Sequence, residues 1–102
     1  ALCNQNSYSN AEIFSHAFKA LGHGKLVGVP TFGAVISTGG KGLIDGSYVR
    51  MPFRAWYVKS TGENMEHGPA VPDVILHNTP DSKSKGLDQQ LKKAVELLLE
   101  DI

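Results

Sequence analysis

The stretch NSYSNAEIF, residues 6–14, decides how this chain is read. Small hydroxyl and amide side chains crowd ahead of a run that turns helical at Ala11 and Glu12. Ser9 followed three positions later by Glu12 is the S-x-x-E pattern of a capping box. In that motif the serine oxygen accepts from a first-turn N–H and the glutamate reaches back to the serine's own N–H. The same position suits a nucleophile. N–H groups at a helix start carry partial positive charge and can stabilise an oxyanion forming beside the serine. A nucleophilic serine also needs a general base. Local sequence leaves both roles open.

Outward from this stretch, Ile13, Phe14, Ala17, Phe18 and Leu21 recur at helical spacing and predict a helix from Ala11 to Leu21 with one apolar face. Gly22 sits where a C-terminal cap belongs. Upstream, Ala1 to Asn4 reads as the end of a short buried strand. With no methionine and no charged leader before it, the chain is expected to be a piece of a longer protein. Downstream, Leu26 to Val29 predicts a buried strand stopped by Pro30, and Ala34 to Ile36 resumes extended structure. Thr38 to Gly42 reads as a glycine-rich loop. Asp45-Gly46 predicts a type I′ hairpin between Leu43-Ile44 and Ser47–Met51. Phe53 to Lys59 predicts another strand, with Trp56 and Tyr57 on opposite faces, and Val74 to Leu76 a last one. Leu87 to Ile102 predicts a helix with Leu87, Leu91, Val95 and Leu98 on one stripe. A helix near each end with several short strands between them gives an α/β class, a sheet with helices packed on it.

Bulk chemistry excludes several functions. Ten basic residues balance ten acidic ones, which leaves no electrostatic footprint for nucleic acid or an anionic membrane. No apolar run approaches the ~20 residues that span a bilayer. Cys3 is the only cysteine, so the chain has no internal disulfide, and the histidines lack metal-ligand spacing. Among candidate bases for Ser9, His16 lies seven residues along the helix, roughly 10 Å away at 1.5 Å rise per residue. His23 falls past the helix end, His77 follows the last strand, and His67 reaches the first helix only through the fold.

Three segments, NQNSYSNAEIFSHAFKALG, GKLVGVPTFGAVIS and NMEHGPAVPDV, closely resemble the C-terminal part of the catalytic domain of tricorn-type serine peptidases. More broadly they resemble the family that includes the C-terminal processing peptidases. The likeness runs from about Ala1 to Leu99. It implies a crotonase/ClpP-like ββα fold present as its C-terminal part, with residues 1–102 forming that portion of the domain. It implies that the second serine of the S-x-S-x-A-E pattern, Ser9, is the nucleophile, and that the N–H of Asn10 serves the oxyanion. Processing peptidases place a lysine base after G-x-P-T-F-G, where this chain has Ala34, so a Ser-Lys dyad is excluded at that position; Lys41 is a weaker substitute.

In the tricorn branch the base is a histidine far upstream, next to a second serine that a glutamate of the C-terminal part holds. That role falls to Glu66, with Glu63 the alternative. The resemblance thus implies hydrolysis of oligopeptides through an acyl-enzyme, with no metal or cofactor, and with the glycine-rich loop and the following hairpin shaping the substrate groove. It also implies pairing with a missing upstream part, or self-association, and little activity in this chain alone. The other reading is a non-catalytic ligand- or protein-binding domain on the same fold.

Overall fold

The computed structural model describes residues 1–102. Three short parallel strands form its centre: β1 (Leu2–Cys3), β2 (Val27–Gly28) and β5 (Val74–Ile75), in spatial order β1-β2-β5. Leu2 is in register with Val27 and Cys3 with Gly28, and Val27 and Gly28 in turn pair Val74 and Ile75. Parallel strands need crossover connections. The first is α1 (Asn10–Ala20), which links β1 to β2. The second contains an antiparallel hairpin, β3 (Ile36–Gly42) and β4 (Tyr48–Ala55), lying outside that sheet. A 3₁₀ turn (Lys83–Lys85) then leads to α2 (Gln89–Glu100). The result is a mixed α/β domain with two helices and several strands.

The apolar centre is small. Cys3, Leu26 and Ala70 cluster together, with Val27, Val29 and Val35 also buried. Gly28 shows how closely β1 and β2 approach: a side chain there would place its Cβ 1.9 Å from the Cys3 carbonyl oxygen. At φ 138° the position also suits only glycine. Overall the chain measures 58 × 37 × 18 Å with a radius of gyration of 17.2 Å. A compact domain of this length has roughly 13 Å.

Several expectations hold. The helix, the three short strands and the C-terminal helix all appear, although only β2 is buried throughout, Leu2 and Ile75 being exposed. Gly22 (φ 66°) ends α1 in a full Schellman motif, the Gly22 N–H donating to Lys19 and the His23 N–H to Phe18.

Others are corrected. The expected inward apolar face of α1 lies largely outside: Phe14 and Leu21 are exposed, while Glu12 and Ser15 are buried. Polar bonds hold α1 instead. His16 Nε2 lies 3.0 Å from the Gly68 carbonyl, and Lys19 Nζ donates to the Val71 carbonyl. Thr38 to Gly42 is not a loop but most of β3, because backbone pairing with Tyr48–Pro52 extends a strand through its glycines. The hairpin turn is not type I′, since Asp45 has no positive φ. The Gly46 N–H donates to Leu43 and only Gly46 takes a positive φ (83°), as in a type I turn closed by a glycine bulge.

The two strands expected on either side of Pro52 are one. β4 runs through the proline with a register shift opposite Ser37/Thr38, where Phe53 is the extra residue. A proline inside a strand is tolerated beside such a bulge. The leucine stripe of α2 faces solvent at Leu91, Val95 and Leu98. The helix lies against β1 and β2, and Ala94, Leu97 and Leu98 line a small cavity with Phe18 and Val27.

Asp73 ties the crossovers together. Its carboxylate accepts from the Leu26 N–H (2.8 Å) and lies 3.4 Å from Lys19 Nζ. The Leu26 hydrogen bond, then the Lys19 ammonium, holds its pKa below the ordinary carboxylate value. A depressed folded-state pKa stabilises the fold above the unfolded value, and that contribution fades as pH falls through the folded one. Asp73→Asn is therefore expected to lower the denaturation midpoint near pH 6. Its deficit against wild type should shrink as pH falls below about 4. Denaturant titrations from pH 6 to pH 3 measure this; a deficit that does not change with pH would contradict it.

Candidate active site

Ser9 has φ 55° and ψ −119°. That is the first central position of a type II′ turn, a conformation normally left to glycine. The turn is closed by the Ala11 N–H donating to the Tyr8 carbonyl at 3.2 Å. A capping serine would be extended, with its oxygen accepting from the first turn. Ser9 makes no such side-chain bond, so the capping-box reading is overturned.

The backbone explains why. The first-turn N–H groups of Ala11, Glu12 and Ile13 already reach the Tyr8 and Ser9 carbonyls. The Ser9 N–H is committed to the Ala34 carbonyl at 3.0 Å, leaving nothing for Glu12 to reach back to. The Asn10 N–H alone in that turn has no acceptor within the chain. The α1 N-terminus therefore presents a free donor and a free hydroxyl side by side.

Glu12 turns the other way. It is fully buried, and its carboxylate accepts from the Gly33 N–H (2.8 and 2.9 Å), the Ala34 N–H (2.9 Å) and Thr31 Oγ1 (3.2 Å). Thr31 Oγ1 in turn accepts from the Ala70 N–H at 2.7 Å. The Pro30–Ala34 turn belongs to no strand, so its N–H groups need an acceptor from elsewhere. Glu12 supplies it.

The same turn carries Glu66. The His67 N–H donates to the Gly33 carbonyl (2.8 Å), while the Ser9 N–H bonds the adjacent residue's carbonyl. Ser9 and the Glu66 loop are thus fixed to neighbouring residues of one turn. Glu66 Oε2 is buried and has no partner in the chain. An orphaned buried carboxylate oxygen is expensive and calls for a donor. Glu63, the alternative, is exposed and accepts from Thr61 Oγ1.

Ser9 and Asn10 open into a cleft of about 360 Å³ whose far wall is the hairpin: Ile36, Thr38, Arg50, Phe53 and Trp56. The bulge at Phe53 breaks the alternation of β4, so Arg50 and Phe53, three apart, line the same cleft. Trp56 Nε1 donates to Ser37 Oγ (2.8 Å), which fixes the indole. No histidine and no lysine lines this cleft. His16 is engaged with Gly68, and Lys41 stands along β3 opposite Val49, away from Ser9. A larger cleft, about 670 Å³, lies between α1 and residues 58–71. It contains neither Ser9 nor Glu66, and the His16 and Lys19 side chains on its wall are engaged with neighbouring carbonyls and Asp73.

Residues 1–76 match the family described as Peptidase family S41. The chain belongs to peptidase family S41. This S41 chain is 35% identical to the tricorn protease of Thermoplasma volcanium over 103 residues, an alignment covering 100% of the chain and 10% of that protein. It superposes on the crystal structure of the tricorn protease with a TM-score of 0.87 and 33% identity, covering 98% of the chain and 10% of the other. The photosystem II D1 C-terminal processing protease is a more distant likeness, with a TM-score of 0.64 and 26% identity over 89% of the chain and 22% of its own length. The S41 chain spans about a tenth of the length of the curated relatives it matches.

Strain and capping predict different effects of replacing Ser9. A non-glycine residue in a sparsely populated backbone region costs about 1–3 kcal/mol. Ser9→Gly is therefore expected to raise the thermal midpoint, and Ser9→Ala to leave it unchanged. A capping serine would lose about 1 kcal/mol on replacement by alanine. Thermal melts of the two variants decide; a clear loss in Ser9→Ala would restore the cap.

Proposed function

We propose that this chain carries the nucleophile and the distal orienting carboxylate of a serine peptidase active site. On this reading it forms the C-terminal part of a catalytic domain with a crotonase/ClpP-like fold, and the general base comes from an upstream part of the same protein. The observation that carries the reading is the backbone of Ser9, held at φ 55° on the threshold of α1 with its hydroxyl uncommitted and the Asn10 N–H free beside it. A sharp strained turn that exposes a hydroxyl at a helix N-terminus is how serine nucleophiles are presented, with the following N–H as an oxyanion donor. A chain that only bound a ligand would have no need to hold serine where glycine fits better.

Ser9 Oγ attacks the scissile carbonyl carbon and its proton passes to the external base. The carbonyl oxygen takes the electron pair and is held by the Asn10 N–H and the positive end of α1. Collapse of the intermediate breaks the C–N bond, and the base returns its proton to the leaving amine. Water then attacks the Ser9 ester by the same steps in reverse, freeing the acid and the enzyme. Glu66 acts at a distance: its unpartnered Oε2 would accept from a hydroxyl that orients the base. The substrate is a peptide, bound in the cleft between α1 and the β3–β4 hairpin. The outward apolar residues of α1, α2 and the hairpin, among them Phe14, Leu98 and Ile44, would pair with the upstream part.

Fluorophosphonate labelling followed by intact mass tests the assignment. The full-length protein carrying these residues is expected to take up one equivalent at Ser9, and its Ser9→Ala variant none. The 102-residue chain alone is expected to remain unlabelled, because it brings no base to Ser9. A full-length protein that resists the reagent, or that labels equally without Ser9, would contradict the proposal.

A further inference from the structure

Arg50 is the only charged side chain lining the Ser9 cleft. Its Nε donates to Thr38 Oγ1 at 2.7 Å, a diagonal contact across the hairpin. No carboxylate of the chain forms an ion pair with it, and its two terminal amino groups have no acceptor within the chain. The other lining side chains are apolar or hydroxyl-bearing, apart from the Asn10 amide, and the two nearest hydroxyls on the hairpin are already engaged by Trp56 and Arg50. The cleft therefore offers an incoming peptide one uncompensated positive charge, steadied from behind by Thr38. The bulge at Phe53 lets this guanidinium share the wall with Phe53, and Trp56 completes it.

We infer that Arg50 is a specificity-determining residue that receives a peptide carboxylate through its two free amino groups while Ser9 is acylated. A planar guanidinium with both terminal nitrogens open matches a carboxylate bidentately, which an ammonium cannot do. An acidic side chain near the scissile bond and a free α-carboxylate share that chemistry. The inference rests on the proposal that Ser9 is the nucleophile, and its test separates the two.

The full-length protein is first labelled at Ser9 with fluorophosphonate; failure there overturns the peptidase reading and this inference with it. Two pairs of internally quenched peptides are then compared. One pair differs by glutamate against glutamine flanking the scissile bond, the other by a C-terminal acid against a carboxamide. The acidic member of at least one pair is expected to show a kcat/KM about tenfold higher, the order a charge-assisted hydrogen bond supplies. Which pair shows the preference identifies the source of the carboxylate. Arg50→Gln is expected to bring the ratio to within about twofold, and Arg50→Lys to restore part of it, since the point charge survives without the fork. In the wild-type protein the preference should also shrink as salt is raised, as for an exposed ion pair. A labelled wild-type enzyme with no acid preference in either pair would overturn the inference. So would a preference that persists in Arg50→Gln, which would reduce Arg50 to a hairpin contact with Thr38.

Discussion

The carboxylate of Glu12 is the constraint on which this structure depends. It is a fully buried group whose two oxygens accept from three donors, the Gly33 and Ala34 N–H groups and the Thr31 hydroxyl. Left without it, each buried donor would cost about 1–3 kcal/mol. Its satisfaction welds the first turn of α1 to the Pro30–Ala34 turn. From there Thr31 extends the network to Ala70, Ala34 to Ser9, and Gly33 to the Glu66 loop. One side chain thus sets the position of the strained serine and of the loop bearing the unpartnered carboxylate. In a molecule with so small an apolar centre, such a network carries positioning that packing would supply elsewhere.

This explains why helix α1 is easy to find in the sequence and hard to orient. Periodicity locates it, and Gly22 marks its end correctly, because both signals are local. The same periodicity assigns the wrong inward face. Phe14 and Leu21 form a convincing apolar stripe, yet the polar residues Glu12, Ser15, His16 and Lys19 hold the helix to the rest of the chain. The spacing of apolar residues tells where they lie on a helix, not which face has hydrogen-bond partners waiting. The capping box fails for a related reason. The S-x-x-E spacing is real, but the Ser9 N–H that Glu12 would satisfy is taken by the carbonyl of Ala34, a residue distant in sequence. The Pro30–Ala34 turn, silent in local terms, has the greater need of a carboxylate.

The site is legible in part. Ser9, Asn10 and Glu66 come from a resemblance, and the structure gives each a distinctive setting: a glycine-like backbone, an unbonded N–H and an orphaned oxygen. Glu63 lacks any such mark. The hairpin wall is only vaguely foreshadowed. The sequence reads as two strands, Ser47–Met51 and Phe53 to Lys59, and no local signal shows that a bulge at Phe53 absorbs Pro52 and re-aims its neighbours. Arg50 and Phe53 therefore do not stand out in the sequence as residues facing Ser9. The second helix repeats the lesson of the first: its leucine stripe is a true stripe, yet Leu91, Val95 and Leu98 are exposed while Ala94 and Leu97 are half-buried.

If Ser9 is the nucleophile we propose, Glu12 holds it in place for reaction, and the second-order rate of fluorophosphonate acylation in Glu12→Gln measures that hold. The full-length protein would be compared with wild type at a temperature where circular dichroism shows both fully folded. Glutamine keeps the shape but removes the charge and one of the two acceptor oxygens that serve Gly33, Ala34 and Thr31. Acylation at Ser9 is expected to slow by about tenfold or more, since small misplacements of reacting groups cost that much. A folded Glu12→Gln protein that acylates at the wild-type rate would show that Ser9 is positioned by something else.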